Sequence, residues 1–174
     1  MADLHFKVMA FSFKIRDFLK PRKNIVQEIG IKQGFHVLDY GCGSGGYVPA
    51  VAELVGNSGK LYALDINPLA IETVKKLAAK EQLPNVQTIL SNCDTGLADD
   101  SIDMVLLYDA FHDLSNPDKI LTELHRVLKP NGTLSFSDHH LKENESTTQV
   151  TRNGLFKLAK KGKRTYSFTP AETN

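Results

Sequence analysis

Cysteine is scarce in this chain: Cys42 and Cys93 are the two among 174 residues. Two thiols make no disulfide framework, and Cys42 lies inside a glycine run, so both read as reduced side chains of an intracellular protein. They also fall short of the roughly three or four cysteine ligands an iron–sulfur cluster takes. Excess charge is missing as well, since 21 Lys and Arg stand against 20 Asp and Glu for a formal net charge of +1. That balance offers no global electrostatic case for a nucleic-acid or membrane partner. No apolar run approaches the ~18 residues of a bilayer span. The opening stretch MADLHFKVMAFSFKIRDFLKPRK mixes Asp, Lys and Arg with aromatics and holds no continuous apolar signal core. The expectation is a cytoplasmic protein with no membrane and no nucleic-acid partner. Repeats and low-complexity tracts are absent too. What is present is ordinary globular composition, 41% hydrophobic and 24% charged, at a length that suits one domain.

Short apolar runs alternate with amphipathic stretches, the pattern of a mostly parallel α/β sheet. The expected strands are HVLDY (36–40), LYALD (61–65), VQTIL (86–90), IDMVLLY (102–108) and TLSFSD (133–138). Helices are expected from near Pro21 to Gly30, from about Gly46 to Val55, from Pro68 to about Gln82, and from Pro117 to the KPNG stretch. Pro49 belongs in a first turn, because deeper in a helix it would break the hydrogen-bond ladder. Asn67-Pro68 supplies an N-cap and a first helical residue, and Asn116-Pro117 opens the next helix. A further helix fits Glu143 to Arg152. LFKLAKKG and RTYSFTP read as strands joined by Lys161-Gly162-Lys163, a turn short enough to force an antiparallel pair. Residues 1–20 read as an N-terminal arm or lid ahead of a single domain at 21–174.

The densest signal is VLDYGCGSGGY, Val37 to Tyr47. Between a strand and a helix, glycines allow positive φ, close approach of backbone to a ligand, and tight helix–strand packing. The helix start adds unpaired N–H groups. Gly41, Gly43 and Gly46 match the G-x-G-x-x-G of dinucleotide sites, and Asp65 ends the next strand about twenty residues on, where a carboxylate takes both ribose hydroxyls of an adenosine ligand. Asp39 weighs between two ligands. Beside a pyrophosphate it would repel the phosphates. It suits instead a ligand with a positive amino group, and S-adenosylmethionine carries one together with a sulfonium and no phosphate.

These residues resemble the class I S-adenosylmethionine-dependent methyltransferases, within the small-molecule group often called type 11. VLDYGCGSGGY resembles that family's D-x-G-x-G-x-G loop, LYALDINPLAI its second-strand acid segment, and SNCDTGLADDSIDMV its adenine segment and fourth strand. ELHRVLKPNGTLSFSD is similar to its LKPGG turn into strand five, with Asn131 in place of the first glycine. The resemblance covers about residues 21–170. It implies an α/β fold: a seven-stranded Rossmann-like sheet, mostly parallel with an antiparallel C-terminal strand, and helices on both faces. It implies S-adenosylmethionine as cofactor and S-adenosylhomocysteine as product. Asp39 would face the methionine amino group through water, while Gly41, Cys42, Gly43 and Gly45 would line the methionine and ribose. Asp65 would hold the ribose hydroxyls, Ile66 would pack on the adenine, and Asp94 would accept from the adenine amino group beside the Cys93 backbone. Tyr108 would sit by the methionyl carbonyl. Cys42 reads as a small packing residue rather than a nucleophile.

Methyl transfer by in-line displacement needs alignment, which supplies ~7–11 kcal/mol, and a positioned base adds ~3–5 kcal/mol. YDAFHDL follows the fourth strand and SDHH the fifth, which makes His112 and His139 the candidate catalytic bases. No metal is expected, because no pair has the helical i, i+4 spacing of a zinc site and no third ligand is evident in the sequence. The proline-rich tetrapeptide of DNA amino-methylating enzymes is replaced by YDAF, so the expected acceptor is a small molecule. Phe6, Met9, Phe11, Phe13 and Phe18 make the arm a candidate cover for the acceptor pocket. The expected assembly is a monomer or homodimer. Two other readings stay open: a protein that binds the cofactor or its product without catalysis, and a nicotinamide-dependent oxidoreductase.

Overall fold

HVLDY folds as β1 (His36–Tyr40), and its neighbours follow the alternation of apolar runs and helices. The computed structural model describes residues 23–171. The expected arm at 1–20 therefore lies outside the described residues. In chain order the elements are α1 (Lys23–Glu28), β1, α2 (Val48–Val55), β2 (Lys60–Asp65), α3 (Pro68–Lys80), β3 (Val86–Leu90) and β4 (Ile102–Tyr108). A 3₁₀ turn (Phe111–Asp113) precedes α4 (Pro117–Val127), β5 (Leu128–Ser137), α5 (Glu143–Thr151), β6 (Phe156–Lys161) and β7 (Tyr166–Pro170).

Local chemistry sets the helix starts. Pro49, Pro68 and Pro117 all fall in first turns, where the missing N–H would have had no intrahelical partner. Asn67 Oδ1 accepts from the Leu69 N–H at 2.9 Å, and Asn116 Oδ1 from the Lys119 N–H at 3.2 Å. α2 begins at Val48 rather than Gly46, because Gly45 still belongs to the turn and donates its N–H to Cys42 O. α3 stops at Lys80, and Gln82 has left-handed φ (54°), which ends the helical repeat.

The seven strands form one sheet in the order β3-β2-β1-β4-β5-β7-β6. β1 to β5 run parallel, and β7 is antiparallel to both β5 and β6. The expected sheet is present, with β7 inserted beside β5 and β6 at the edge. β5 is longer than expected: it starts at Leu128, not Thr133. Leu128 pairs with Ile102 and Thr133 with Met104, so Lys129–Gly132 bulge opposite the single residue Asp103. Asp103 fixes the bulge by accepting from Lys129 Nζ at 2.5 Å while its other oxygen takes the His36 N–H at 2.8 Å. KPNG looks like a free turn in the sequence because the pairing of Leu128 is made 26 residues away in the chain, at Ile102.

Both faces of the sheet are covered, as a parallel sheet requires. On one face Val26, Val48, Val51 and Val74 from α1–α3 meet Val37 and Leu106. On the other, Leu121 and Leu124 of α4 meet Phe136, Phe168 and Leu38. Truncating a fully buried phenylalanine such as Phe136 to alanine costs about 3–5 kcal/mol. The strand order reverses between β1 and β4, which opens a crevice at their C-terminal ends where ligands of such sheets sit. Among the described residues no helix is long and apolar enough to cross a membrane.

Candidate functional site

The glycine loop forms the first wall of this crevice. Gly41 and Cys42 donate their N–H groups to Leu64 O at 2.8 and 2.9 Å, which ties the loop to β2. Gly41 has φ +78°, and a Cβ there would lie 2.7 Å from the Ala110 Cβ. Glycine is needed on both counts, and the contact brings the loop after β1 against the loop after β4. Gly43 donates its N–H to Asp65 Oδ2 at 2.8 Å, and Asn67 donates to Asp65 Oδ1 at 2.8 Å. A carboxylate has about four acceptor positions, so these two bonds leave Asp65 room for further donors. A Cβ on Gly43 would meet nothing within 4 Å, so open space lies over this residue. Asp39 is 2% exposed at the end of β1. Ile66, next to Asp65, is 68% exposed. Cys42 lies in the core, and burial followed by the charges of Asp39 and Asp65 pushes its thiol far up. It stays protonated and packs, as expected, rather than attacking.

A second wall runs from Ser91 to Asp99. Cys93 is buried and its N–H bonds Ser91 Oγ at 3.2 Å. Asp94 is exposed, with Lys119 Nζ 3.6 Å away. Thr95 donates through N and Oγ1 to Glu123 Oε1 at 2.8 and 2.6 Å. Arg126 clamps Glu123 with Nε and Nη2, both at 2.8 Å, donates to Leu97 O at 3.0 Å, and pairs with Asp99. Burial alone would raise the Glu123 carboxyl, but the bonds from Arg126 and Thr95 outweigh it and hold the group at about 2. Tyr40 donates its hydroxyl to Asn92 O at 3.1 Å. Tyr40, Glu123 and Arg126 thus shape this wall, and the sequence reading missed all three. Its one available signal was the i, i+3 spacing of Glu123 and Arg126 on an amphipathic helix.

The third wall joins the ends of β4 and β5. The Asp109 N–H donates to Ser137 O at 2.8 Å, and the side chains then cross between the two loops. His112 Nδ1 lies 2.9 Å from Asp138 Oδ2 and 3.1 Å from Oδ1. Asp138 also accepts the N–H groups of His112 at 3.1 Å and His140 at 3.0 Å, and its side chain is fully buried. In the reverse sense, His139 Nδ1 lies 2.7 Å from Asp109 Oδ1. Asp109 holds left-handed φ (51°). The His140 ring stacks 4.0 Å from both the His112 and His139 rings. The two histidines predicted from sequence are therefore brought together, each oriented by a carboxylate from the opposite loop. Tyr108 ends β4 with its side chain directed inward, its hydroxyl 2.6 Å from Ser135 Oγ and its ring edge-on to Tyr47 at 5.1 Å. Burial pushes that hydroxyl up, so it stays protonated.

The chain matches the family model described as a methyltransferase domain over residues 31–171. It is 30% identical over 129 residues to demethylmenaquinone methyltransferase of Geobacillus stearothermophilus, a match covering 74% of this chain and 55% of that protein. It is 31% identical over 118 residues to 2-phytyl-1,4-naphtoquinone methyltransferase of a Nostoc species, covering 67% of this chain and 52% of that one. The chain spans about half the length of the curated relatives it matches. Among solved structures it is similar to a SAM-dependent methyltransferase from Aquifex aeolicus, with a TM-score of 0.76 and 26% identity over 90% of this chain and 96% of that one. The residues present fit such a cofactor: two carboxylates, Asp39 and Asp65, stand at neighbouring strand ends, Gly43 has open space over it, and Ile66 offers an apolar surface for a purine. Glycine loop, strand order and family match agree that the chain belongs to the methyltransferase-domain family, with the class I Rossmann-like fold and S-adenosylmethionine as its cofactor.

Proposed function

We propose that the chain transfers the methyl group of S-adenosylmethionine to a small-molecule acceptor seated on the β4–β5 wall, with His112 accepting the acceptor's proton. The observation that carries this reading is the His112–Asp138 pair, placed on the loop whose Ala110 touches Gly41. In this reading Asp39 faces the methionine amino group, and the backbone of Gly41, Cys42, Gly43 and Gly45 lines the methionine and ribose. Asp65 takes the ribose hydroxyls, Ile66 lies on the purine, and Cys93 and Asp94 meet its edge. With its side chain turned inward, Tyr108 contributes backbone beside the methionyl group.

When bound, the cofactor supplies a methyl group made electrophilic by a sulfonium. The chain supplies position and a proton acceptor. With Nδ1 held by Asp138, His112 presents Nε2, 3.4 Å from the exposed Asp113 carboxylate, as its second nitrogen, and a neutral imidazole so oriented accepts a proton there once Asp113 swings aside. Asp138 is a positioning residue: it fixes the ring. His139, fixed by Asp109, is a second imidazole on the same wall and a second candidate for the same task. The relatives' names point to a quinone-type aromatic acceptor, and a hydroxylated ring suits a wall of imidazoles.

The test is calorimetric binding of S-adenosylmethionine followed by a methyl-transfer screen over hydroxylated aromatic acceptors, reduced naphthoquinones included. Cofactor binding with transfer to one of these is the expected result. Binding of cofactor with no transfer across the screen would point to a non-catalytic binder, and binding of a nicotinamide dinucleotide instead would overturn the reading.

A further inference from the structure

We propose that the β6–β7 hairpin docks the protein on an anionic phospholipid surface. Five of the chain's 21 Lys and Arg, namely Lys157, Lys160, Lys161, Lys163 and Arg164, fall between Phe156 and Thr165, and no acid stands among them. Outside that stretch 16 cations face 20 anions, so the near-zero net charge hides a local excess. All five side chains are exposed. Among the described residues Lys157, Lys160, Lys163 and Arg164 form no ion pair. Glu28 of α1 touches the turn through backbone, its Oε1 accepting the Lys163 N–H at 2.9 Å. That bond anchors the turn and leaves the Lys163 ammonium to solvent.

The strand geometry gathers these charges. β6 is an edge strand, paired on one side by β7. Lys157 stands opposite Thr169, Leu158 opposite Phe168 and Lys160 opposite Ser167, so Ala159 is an extra residue, a β-bulge. Side chains alternate along a regular strand, and residues three apart would point to opposite faces. The bulge instead sets Lys157 and Lys160 on one face, away from the core side that Phe168 fills. Lysines on an edge also discourage pairing with another strand. That role does not extend to Lys163 and Arg164, which lie in the turn between the two strands and have no ladder edge to guard.

The shape of the patch selects the partner. A single phosphate or carboxylate would need the cations to converge on one point. Here they are strung along the six residues of β6 and its turn, an edge of about 20 Å at about 3.3 Å per residue, which suits an extended anionic surface. Leu158, 43% exposed beside Lys157, adds an aliphatic contact. The rings of the hairpin are withheld: Phe156 and Phe168 are buried and Tyr166 is half-buried. Single-stranded nucleic acid calls for exposed rings to stack on its bases, so a layer of lipid headgroups is the better match. Tyr166 pairs with Phe136, which puts the turn between β6 and β7 at the same end of the sheet as the crevice. A docked hairpin therefore sets the crevice mouth beside the headgroups, where an apolar acceptor concentrates. That consequence alone rests on the methyl-transfer reading above.

The experiment sediments the full chain with phosphatidylcholine vesicles, either pure or containing about 25% phosphatidylglycerol. Binding to the anionic vesicles alone is expected, and its loss at about 0.5 M salt. Each Lys or Arg near such a surface contributes about 5-fold, so Lys157→Gln, Lys160→Gln and Lys163→Gln together should weaken binding about 10²-fold, and Arg164→Gln alone about 5-fold. The matched control is Lys75→Gln, Lys76→Gln and Lys80→Gln on α3, which packs on β2 and β3 at the other side of the sheet. It removes the same charge and should leave vesicle binding close to that of the parent. Unchanged S-adenosylmethionine affinity, measured in parallel, shows that the variants fold. No binding to anionic vesicles overturns the proposal, as does equal binding to neutral ones or equal weakening by the two triple substitutions. A duplex oligonucleotide bound more tightly than vesicles, and weakened by the hairpin substitutions, would assign the patch to nucleic acid instead. Vesicle binding lost with the hairpin cations, in a protein that methylates no acceptor, supports the docking surface and counts only against the methyl-transfer reading.

Discussion

The two sides of the strand-end crevice are built from different materials. Around β1 and β2 the surface is backbone: glycines at positive φ, N–H groups aimed at Leu64 O and Asp65, and one exposed isoleucine. Around β4 and β5 it is side chain: two carboxylates and three imidazoles crossed between loops. A backbone cradle holds an invariant ligand part whatever the neighbouring side chains are. A side-chain wall can change with the acceptor while the fold stays the same. In the proposed reading the first side takes the cofactor and the second carries the chemistry, and the two should fail separately.

The sharpest test of that division has the largest expected effect. His112→Asn should lower kcat by about 10²–10⁴-fold, the range for a lost proton acceptor, with cofactor affinity unchanged by calorimetry. Were cofactor affinity to fall in step with turnover, the two sides would be one unit and the division would be broken. Asp65→Ala is the converse. It removes charged acceptors worth about 1.5–3 kcal/mol per bond, so cofactor Kd should rise about 10²-fold. Single-turnover rates at saturating cofactor should change far less.

How legible each side was in the sequence follows from the same contrast. The glycine loop and Asp65 are local: a strand, a turn and a helix in sequence order fix the backbone, so spacing alone marked them as a candidate site. The seven-stranded, mostly parallel sheet with its antiparallel C-terminal strand followed from the alternation of elements and the family resemblance, whereas the strand order came with the fold. The β4–β5 wall is made by register. Asp109 and His139 are thirty positions apart, and their approach depends on Tyr108 pairing with Ser137. The sequence showed two histidine-bearing loops after neighbouring strands, but not which carboxylate would orient which ring. Glu123 was hidden for a related reason: its helical period marks a solvated face, and only the fold carries Thr95 and Leu97 to it.

Glu123 gives an effect of intermediate size on stability rather than function. Its carboxyl is held at about 2 in the fold against an ordinary 4.5. A depressed carboxyl stabilises the folded state fully above the unfolded value and loses that contribution as pH falls through the folded one. The window is therefore about pH 4.5 down to 2, and solvent around the pair keeps the contribution to about 1–2 kcal/mol. Glu123→Gln should lose that amount in chemical denaturation at pH 7 and flatten the acid limb across the window. A steep limb retained in the variant would assign it to other carboxylates. Because Glu123 supports the Ser91–Asp99 wall from outside, cofactor Kd should move only slightly.

The smallest effect bears on the backbone side. Ile66 is 68% exposed, so the core gains little from it. Its side chain has apolar area that a purine can cover, and at about 25 cal/mol per Å² partial burial contributes about 1 kcal/mol. Ile66→Ala should therefore weaken S-adenosylmethionine about 5-fold while the thermal midpoint of the free protein stays where it was. Ile66→Leu, which keeps the area, should bind like the parent. Equal affinity in all three proteins would mean that the purine does not rest on this side chain. The cofactor side would then be backbone and carboxylate alone, a sharper contrast with the β4–β5 wall than the one drawn from exposure.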